Sequence, residues 1–410
     1  MRESVHTLVE GNTYAAGDPF PIWDWMRTTE PVLWQETRDF GGFWSLTRYT
    51  DVNQVLRDAE TFTSSSGILL RPRDQGGDPG SSRTLALSDP PRHTALRAAV
   101  AGWFAPRNLR MLTASLQAAA HDIVTMAVER SRVDFVTEVA ARLPLEVIWT
   151  FLDIPAADRA RITGWSMDAF CAGSPVERSV AHLEILDYFG GLARLRRRKP
   201  GEDLVSVLAG MEFDGKPLPL DDVVLNCDNL LVGGTENVRL AMSGGIHALL
   251  DRPGQWDLLR DDFDRVVPTA VEEILRWTSS ATHLVRTARA GAEIGGRVIA
   301  PGERVVLWLP AANRDPAEFP EPARFDLTRS PNRHLALGAG PHYCVGIQLA
   351  KLEIRAVLAE LAGRVRRIHR DGRATKLDSL VVNGFRSLPV RIETGSAPAG
   401  STSAAVPAEA

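Results

Sequence analysis

The chain has 410 residues, 44% hydrophobic and 24% charged, with a formal net charge of −4, a globular profile that offers no basic surface for nucleic acid. No apolar run reaches the ~18 residues of a membrane span, residues 1–12 lack the apolar stretch of a signal peptide, and three scattered cysteines exclude a disulfide framework. Length alone suggests roughly two to three domains, yet no Pro/Gly/Ser-rich linker divides residues 1–394, so one cytoplasmic unit is expected, followed by an Ala/Ser/Pro-rich disordered tail over 395–410.

Residues 31–46 hold two apolar stretches, Val32-Leu33-Trp34 and Phe43-Trp44 with Leu46, on either side of a turn at 39–42. They predict a β-hairpin, and a short helix is expected over 51–58. The segment 64–82 is rich in Ser, Gly, Pro and Arg, and composition leaves it either a solvated loop or an ordered lid or binding loop. Asp89, Pro90 and Pro91 then supply helix-start chemistry and place His93 and Arg97 four apart on one helical face. An exposed basic pair is the ordinary reading of that spacing, and a clamp for a carboxylate is the functional one. Residues 111–208 read as helix, interrupted at 154–155, near 173–175 and at 200–201. The run Arg194, Arg196, Arg197, Arg198 and Lys199 resembles a nucleic-acid patch but suits a solvated helix C-terminus better, because cations complement the dipole there.

The longest helical pattern, 221–250, carries Gly233-Gly234-Thr235-Glu236-Asn237 at its middle. Each mid-helix glycine costs about 1 kcal/mol relative to alanine. Either the pair packs closely against another helix, or it makes room for a small ligand beside a kink or π-bulge. Residues 271–277 put Glu273 and Arg276 one turn apart, within reach of an ion pair. A hairpin is expected over 297–309 around Pro301-Gly302. The proline-rich meander 312–329 needs a surface to pack on, and 381–392 reads as short strands around Asn383-Gly384.

Residues 334–350, HLALGAGPHYCVGIQLA, bring Cys344 to the start of a helical pattern through Gly338, Gly340 and Gly346. Free amides and the dipole at a helix start favour a thiolate, and glycines let backbone pass close to something flat. An inert core cysteine needs no such glycines. Zinc needs paired ligands, which Cys171, Cys227 and Cys344 do not form, and a dinucleotide loop needs its last glycine where Tyr343 stands. A thiolate ligand for haem iron fits better.

The cysteine loop, the Glu273/Arg276 pair, the glycine-interrupted helix, DPPRHTALR at 89–97 and PARFD at 322–326 occur in the same chain order in the cytochrome P-450 family. The sequence resembles its soluble bacterial members over nearly the whole length. That resemblance implies a mainly α-helical triangular prism with a smaller β-rich region, and a b-type haem between the glycine-interrupted helix and the cysteine helix. Cys344 then matches the proximal thiolate, with Leu337, Gly338 and Gly346 beside the haem, and His93, Arg97, Arg286 and His342 match the residues that bind the propionates. Glu273, Arg276 and Arg324 match a structural ion-pair triad. Two positions depart from the family pattern: Leu337 replaces the usual phenylalanine seven residues before the cysteine, and Asn237 replaces the usual distal threonine. An amide relays a proton less readily than a hydroxyl.

The implied activity is a haem-thiolate monooxygenase that inserts one atom of O2 into a small organic substrate by hydroxylation or epoxidation. Glu236 and Asn237, with Gly233, Gly234 and Thr235, would form the distal catalytic turn. Electrons would come from NAD(P)H through a ferredoxin reductase and a ferredoxin. Asn237 also admits a variant chemistry: peroxide-driven oxidation, phenol coupling, or isomerisation or dehydration. A non-catalytic haem module that recruits a partner or senses a gas is a third reading. By family analogy the pocket walls fall at 64–82, 170–185, 230–234, 281–284 and 383–385. Leu230, Leu231, Val232, Leu284 and Phe385 would form apolar walls, and Thr282, His283 and Asn383 would orient polar groups. The expected substrate is a secondary metabolite such as a polyketide, peptide or terpene, free or carried on a carrier protein, and the expected state is a monomer.

Overall fold

The computed structural model describes residues 2–171 and 174–395, so the 396–410 tail and the centre of the interruption near 173 lie outside the described residues. The chain is mainly helical, with a smaller sheet region. None of its described helices is long and apolar enough to cross a membrane.

The predicted hairpin forms from Val32–Thr37 and Gly41–Leu46, which pair antiparallel. It supplies two strands of a five-stranded sheet that continues through Arg304–Trp308 and His283–Ala288 to Phe62–Thr63. Here one expectation is corrected. The Pro301-Gly302 turn exists, with the Glu303 amide donating to the Ala300 carbonyl at 3.1 Å, but its flanking strands do not form a hairpin. Arg297–Ile299 pairs back with Ala292–Ile294, whereas Arg304–Trp308 runs between Gly41–Leu46 and His283–Ala288. Arg304–Trp308 is buried from Val305 onward, and a central strand of this kind gains more from two buried neighbours than from one exposed one.

The helical side centres on Leu220–Leu250, 31 residues long and buried through most of its second half. A helix apolar on all sides belongs inside a bundle. It crosses Phe263–Thr278 where Gly244 and Gly245 stand, and an added Cβ there would overlap Thr278 Cγ2 and crowd Ile274. The helix is α-helical throughout, so the π-bulge that one reading of Gly233-Gly234 allowed is not there; a π-helical turn lies instead at Val136–Ala140. The region read as helix over 111–208 also contains a strand, Arg132–Asp134, which pairs with Pro389–Thr394. Three residues are too few for a period-two pattern to show. The basic run ends Pro175–Arg198 as expected, but it is not simply solvated, since Arg196 pairs with Asp153 and Asp203.

The 64–82 segment stays irregular apart from a single 3-10 turn at Arg73–Gln75, and it is tied down. The Val285 amide donates to the Ile68 carbonyl at 2.8 Å, and the Leu70 amide donates to His283 Nε2 at 2.9 Å. Just beyond it, Arg83 donates to Asp222 at 2.6 Å, and the Leu85 amide donates to Asn226 Oδ1 at 2.9 Å. Arg92 also reaches Asp222. Asp222, at the start of the long helix, therefore holds both the loop and the helix Arg92–Ala101.

Candidate active site

The cysteine loop closes on itself. The Cys344 amide donates to the Leu337 carbonyl at 3.0 Å, joining the two residues that the seven-residue spacing singled out, and the Tyr343 amide donates to Gly340 at 3.0 Å. Gly338 and Gly340 both adopt positive φ, +73° and +68°, which glycine tolerates without strain. Gly340 has a second reason: a Cβ would lie 2.6 Å from the Leu56 carbonyl oxygen and 2.8 Å from Arg57 Cα. The helix Ile347–Arg364 then starts, with Gly346 at its cap. Burial pushes the Cys344 thiol up, while the Gly346 amide and Arg97 pull it down. Burial prevails, so the thiolate expected from the helix start needs a bound cation to favour it.

Four basic side chains, His93, Arg97, Arg286 and His342, lie near one another and near this loop. The rings of His93 and His342 lie 4.2 Å apart between centroids. The Nε2 atoms of both are buried without a hydrogen-bond partner. Arg286 is 3% exposed and donates to the Val285 carbonyl at 2.8 Å. Burial, then Arg286 and His93, push His342 down to about 3. Burial and then Arg97 lower His93, and burial lowers Arg286 to about 10. The carboxylate that acts on this group, Asp89, is already engaged by Thr63, the Ser64 amide, Ser65 and Arg289. The Arg97 and Arg286 guanidinium groups, beside two uncharged imidazoles whose Nε2 atoms lack partners, call for anions that also accept hydrogen bonds. Two carboxylates on a flat ring fit them, and Cys344 fits the metal at its centre.

On the long helix, Gly233, Gly234 and Asn237 share one face by their spacing. Here the two readings of the glycine pair separate. Beyond its own stretch of helix, no protein atom lies within 4 Å of where a Gly233 Cβ would stand, and Gly234 would make only an ordinary contact with Ile148 Cδ1 at 3.5 Å. Close helix packing therefore accounts for Gly244-Gly245 but not for Gly233-Gly234. Asn237 is half-buried, and its Oδ1 accepts from Ser280 Oγ at 3.0 Å. Thr235 is buried and turned back on the Leu231 carbonyl at 2.8 Å. Glu236 is buried against Arg239, which engages both of its carboxylate oxygens and also donates to the Phe385 carbonyl at 3.2 Å. Arg239 stands one turn from Glu236, so helical spacing was the signal for it; nothing local pointed to Ser280.

The ion-pair triad needs a correction. Glu273 and Arg276 pair through two bonds of 2.7 and 2.8 Å, both fully buried. The third guanidinium is Arg329, whose Nε lies 3.2 Å from Glu273 Oε2. Arg324 contributes its backbone carbonyl to Arg276, while its side chain, 58% exposed, pairs with Glu321. The Asp326 amide donates to Glu273, and a turn follows in which the Arg329 amide donates to the Asp326 carbonyl at 3.0 Å, bringing the Arg329 side chain back to Glu273. Asn313 connects the cluster to the cysteine loop: its carbonyl accepts from Arg276, and its Oδ1 accepts from the Leu335 amide at 2.7 Å.

The proposed pocket residues divide. Leu230, Val232 and Leu284 are half-buried. His283 is fully buried: Nε2 accepts from Leu70, Nδ1 faces the Leu380 carbonyl, and the ring packs on Trp308. Thr282 is fully buried as well. Asn383 spends its amide on the Thr278 carbonyl at 2.8 Å. Phe385 is buried, with its ring 4.4 Å from that of His247, more than three turns along the helix from Gly233. His283, Asn383 and Phe385 thus serve as joints of the scaffold.

A family model described as Cytochrome P450 matches residues 192–364. Cytochrome P450 NovI of Streptomyces niveus is 39% identical over 373 residues, 90% of this chain and 91% of its own. The steroid C26-monooxygenase of Mycobacterium tuberculosis is 35% identical over 407 residues, 96% and 98% of the two chains. Among solved structures, P450 OxyD, involved in the biosynthesis of vancomycin-type antibiotics, superposes with a TM-score of 0.86 at 36% identity, covering 95% of this chain and 99% of its own.

Proposed function

The chain belongs to the cytochrome P450 family and is an oxygen-incorporating oxidoreductase, and from that premise we propose a monooxygenase that tailors a small, largely apolar secondary metabolite. Cys344 would ligate the iron of haem b, and His93, Arg97, Arg286 and His342 would bind its propionates. The observation that carries this reading is the group of four bases beside Cys344 with two unpartnered histidine nitrogens. When bound, the haem supplies the iron at which O2 is reduced, and thiolate donation favours O–O cleavage. Electrons would arrive from NAD(P)H through a ferredoxin reductase and a ferredoxin. Leu230, Val232 and Leu284, half-buried and apolar, would exclude water and orient the substrate.

The test is the absorption of the reduced protein under carbon monoxide. Thiolate ligation gives a red-shifted Soret band, and its absence in haem-loaded wild type overturns the reading. Cys344→His should retain haem and lose the shift. A titration of the ferric spin state against polyketides, peptides and terpenes, with steroids and a carrier-tethered peptide as further arms, then identifies the substrate class.

A second reading rests on Glu236, whose carboxylate oxygens are both held by Arg239. An acid pinned in this way is a poor proton relay, so peroxide-driven oxidation would be favoured. Turnover with hydrogen peroxide at least as fast as with the full electron-transfer chain supports it; turnover with the electron-transfer chain alone excludes it.

A further inference from the structure

Resting on the haem-thiolate reading, we propose that Ser280 is a positioning residue that orients the Asn237 amide so that its N–H2, and not its carbonyl, faces the Gly233 side of the long helix. Asn237 is the residue that stands where a proton-relaying hydroxyl was expected, so which end of its amide is presented decides what it does. A carboxamide is a donor at one end and an acceptor at the other. Its Oδ1 accepts from Ser280 Oγ at 3.0 Å, so the Nδ2 hydrogens are not drawn to Ser280 and are left to donate to another acceptor.

Ser280 itself is held firmly. It is 8% exposed, and its carbonyl accepts from the Asn383 amide at 2.8 Å. The Asn383 side chain in turn donates to the Thr278 carbonyl at 2.8 Å. The hydroxyl is thus carried on a segment fixed at both sides, so it positions the amide without touching ligand. Asn237 also shares its helix face with Gly233 and Gly234, where Gly233 leaves free approach. The consequence is a fixed hydrogen-bond donor, rather than a proton relay, aimed at a small ligand on that face.

The infrared C–O stretch of the reduced haem–carbon monoxide complex tests this, because a donor to the carbon monoxide oxygen lowers the frequency. Full-length holoprotein is measured for wild type, Ser280→Ala, Ser280→Thr and Asn237→Ala. The expected result is a low frequency in wild type, a rise toward the Asn237→Ala value in Ser280→Ala, and recovery in Ser280→Thr, which keeps the hydroxyl. An unchanged frequency in Ser280→Ala, with Asn237→Ala shifted, overturns the positioning role. Equal frequencies in wild type and Asn237→Ala overturn the orientation itself. Should Ser280→Ala fail to fold, the last comparison still decides. Failure of the haem-thiolate reading is seen separately, as loss of the red-shifted Soret band in wild type.

Discussion

Arg239 closes on Glu236 one turn earlier on the long helix, with both carboxylate oxygens engaged and both residues buried. Removing one member of a buried pair leaves the other charge uncompensated, at a cost of about 3–5 kcal/mol. Arg239→Ala is therefore expected to unfold at markedly lower denaturant concentration than wild type. A double variant, Glu236→Gln with Arg239→Met, should recover most of the loss, and chemical denaturation of all three proteins measures both effects.

Arg329 and Arg324 separate cleanly by the same method. Arg329→Ala removes a guanidinium 9% exposed against fully buried Glu273, and a loss of about 2–4 kcal/mol is expected. Arg324→Ala removes an exposed ion pair with Glu321 and should change stability by less than about 1 kcal/mol. The reverse order would return the third arm of the cluster to Arg324.

The two glycine pairs of the long helix should respond in opposite directions. Gly244→Ala drives a methyl into Thr278 and should cost about 1–3 kcal/mol. Gly233→Ala meets no protein atom beyond its own stretch of helix, so helix propensity should stabilise the fold by about 1 kcal/mol. The same methyl should weaken ligand binding, read as a smaller amplitude of the ferric spin-state change at equal ligand concentration.

Acid stability should carry a signature of His283. Burial lowers its pKa to about 4 from an ordinary value of 6.5. Between those two values the unfolded chain takes up a proton that the folded one refuses, so stability is full above pH 6.5 and falls as pH drops toward 4. The loss approaches about 3 kcal/mol. Denaturation at several pH values should show a shallower acid dependence in His283→Asn than in wild type, at lower overall stability, since the bond to the Leu70 amide is weakened in the variant.

Much of this was legible in the chain because helical spacing and turn chemistry are local. His93 with Arg97, Glu273 with Arg276, and the glycines around Cys344 announce themselves within a few residues. What escaped depends on long-range geometry. Arg329, not Arg324, reaches Glu273 because a turn closed by the Arg329 amide on the Asp326 carbonyl brings it back there, and no helical spacing rule encodes that turn. His283 looked like a pocket residue, yet its ring nitrogens serve the backbone of Leu70 and Leu380, more than ninety residues away on either side. The strands that flank Pro301-Gly302 part company because each finds a better partner elsewhere in the chain.

Asp222 bears on any attempt to redesign selectivity. It grips Arg83 beyond the irregular loop and Arg92 at the start of the helix that carries His93. A graft that replaces residues 68–85 wholesale would cut the Arg83 anchor and the one at His283 together, and would loosen the packing of the loop on the helix that carries His93. Confining exchanged sequence to 71–82, between the two tethers, leaves both anchors in place.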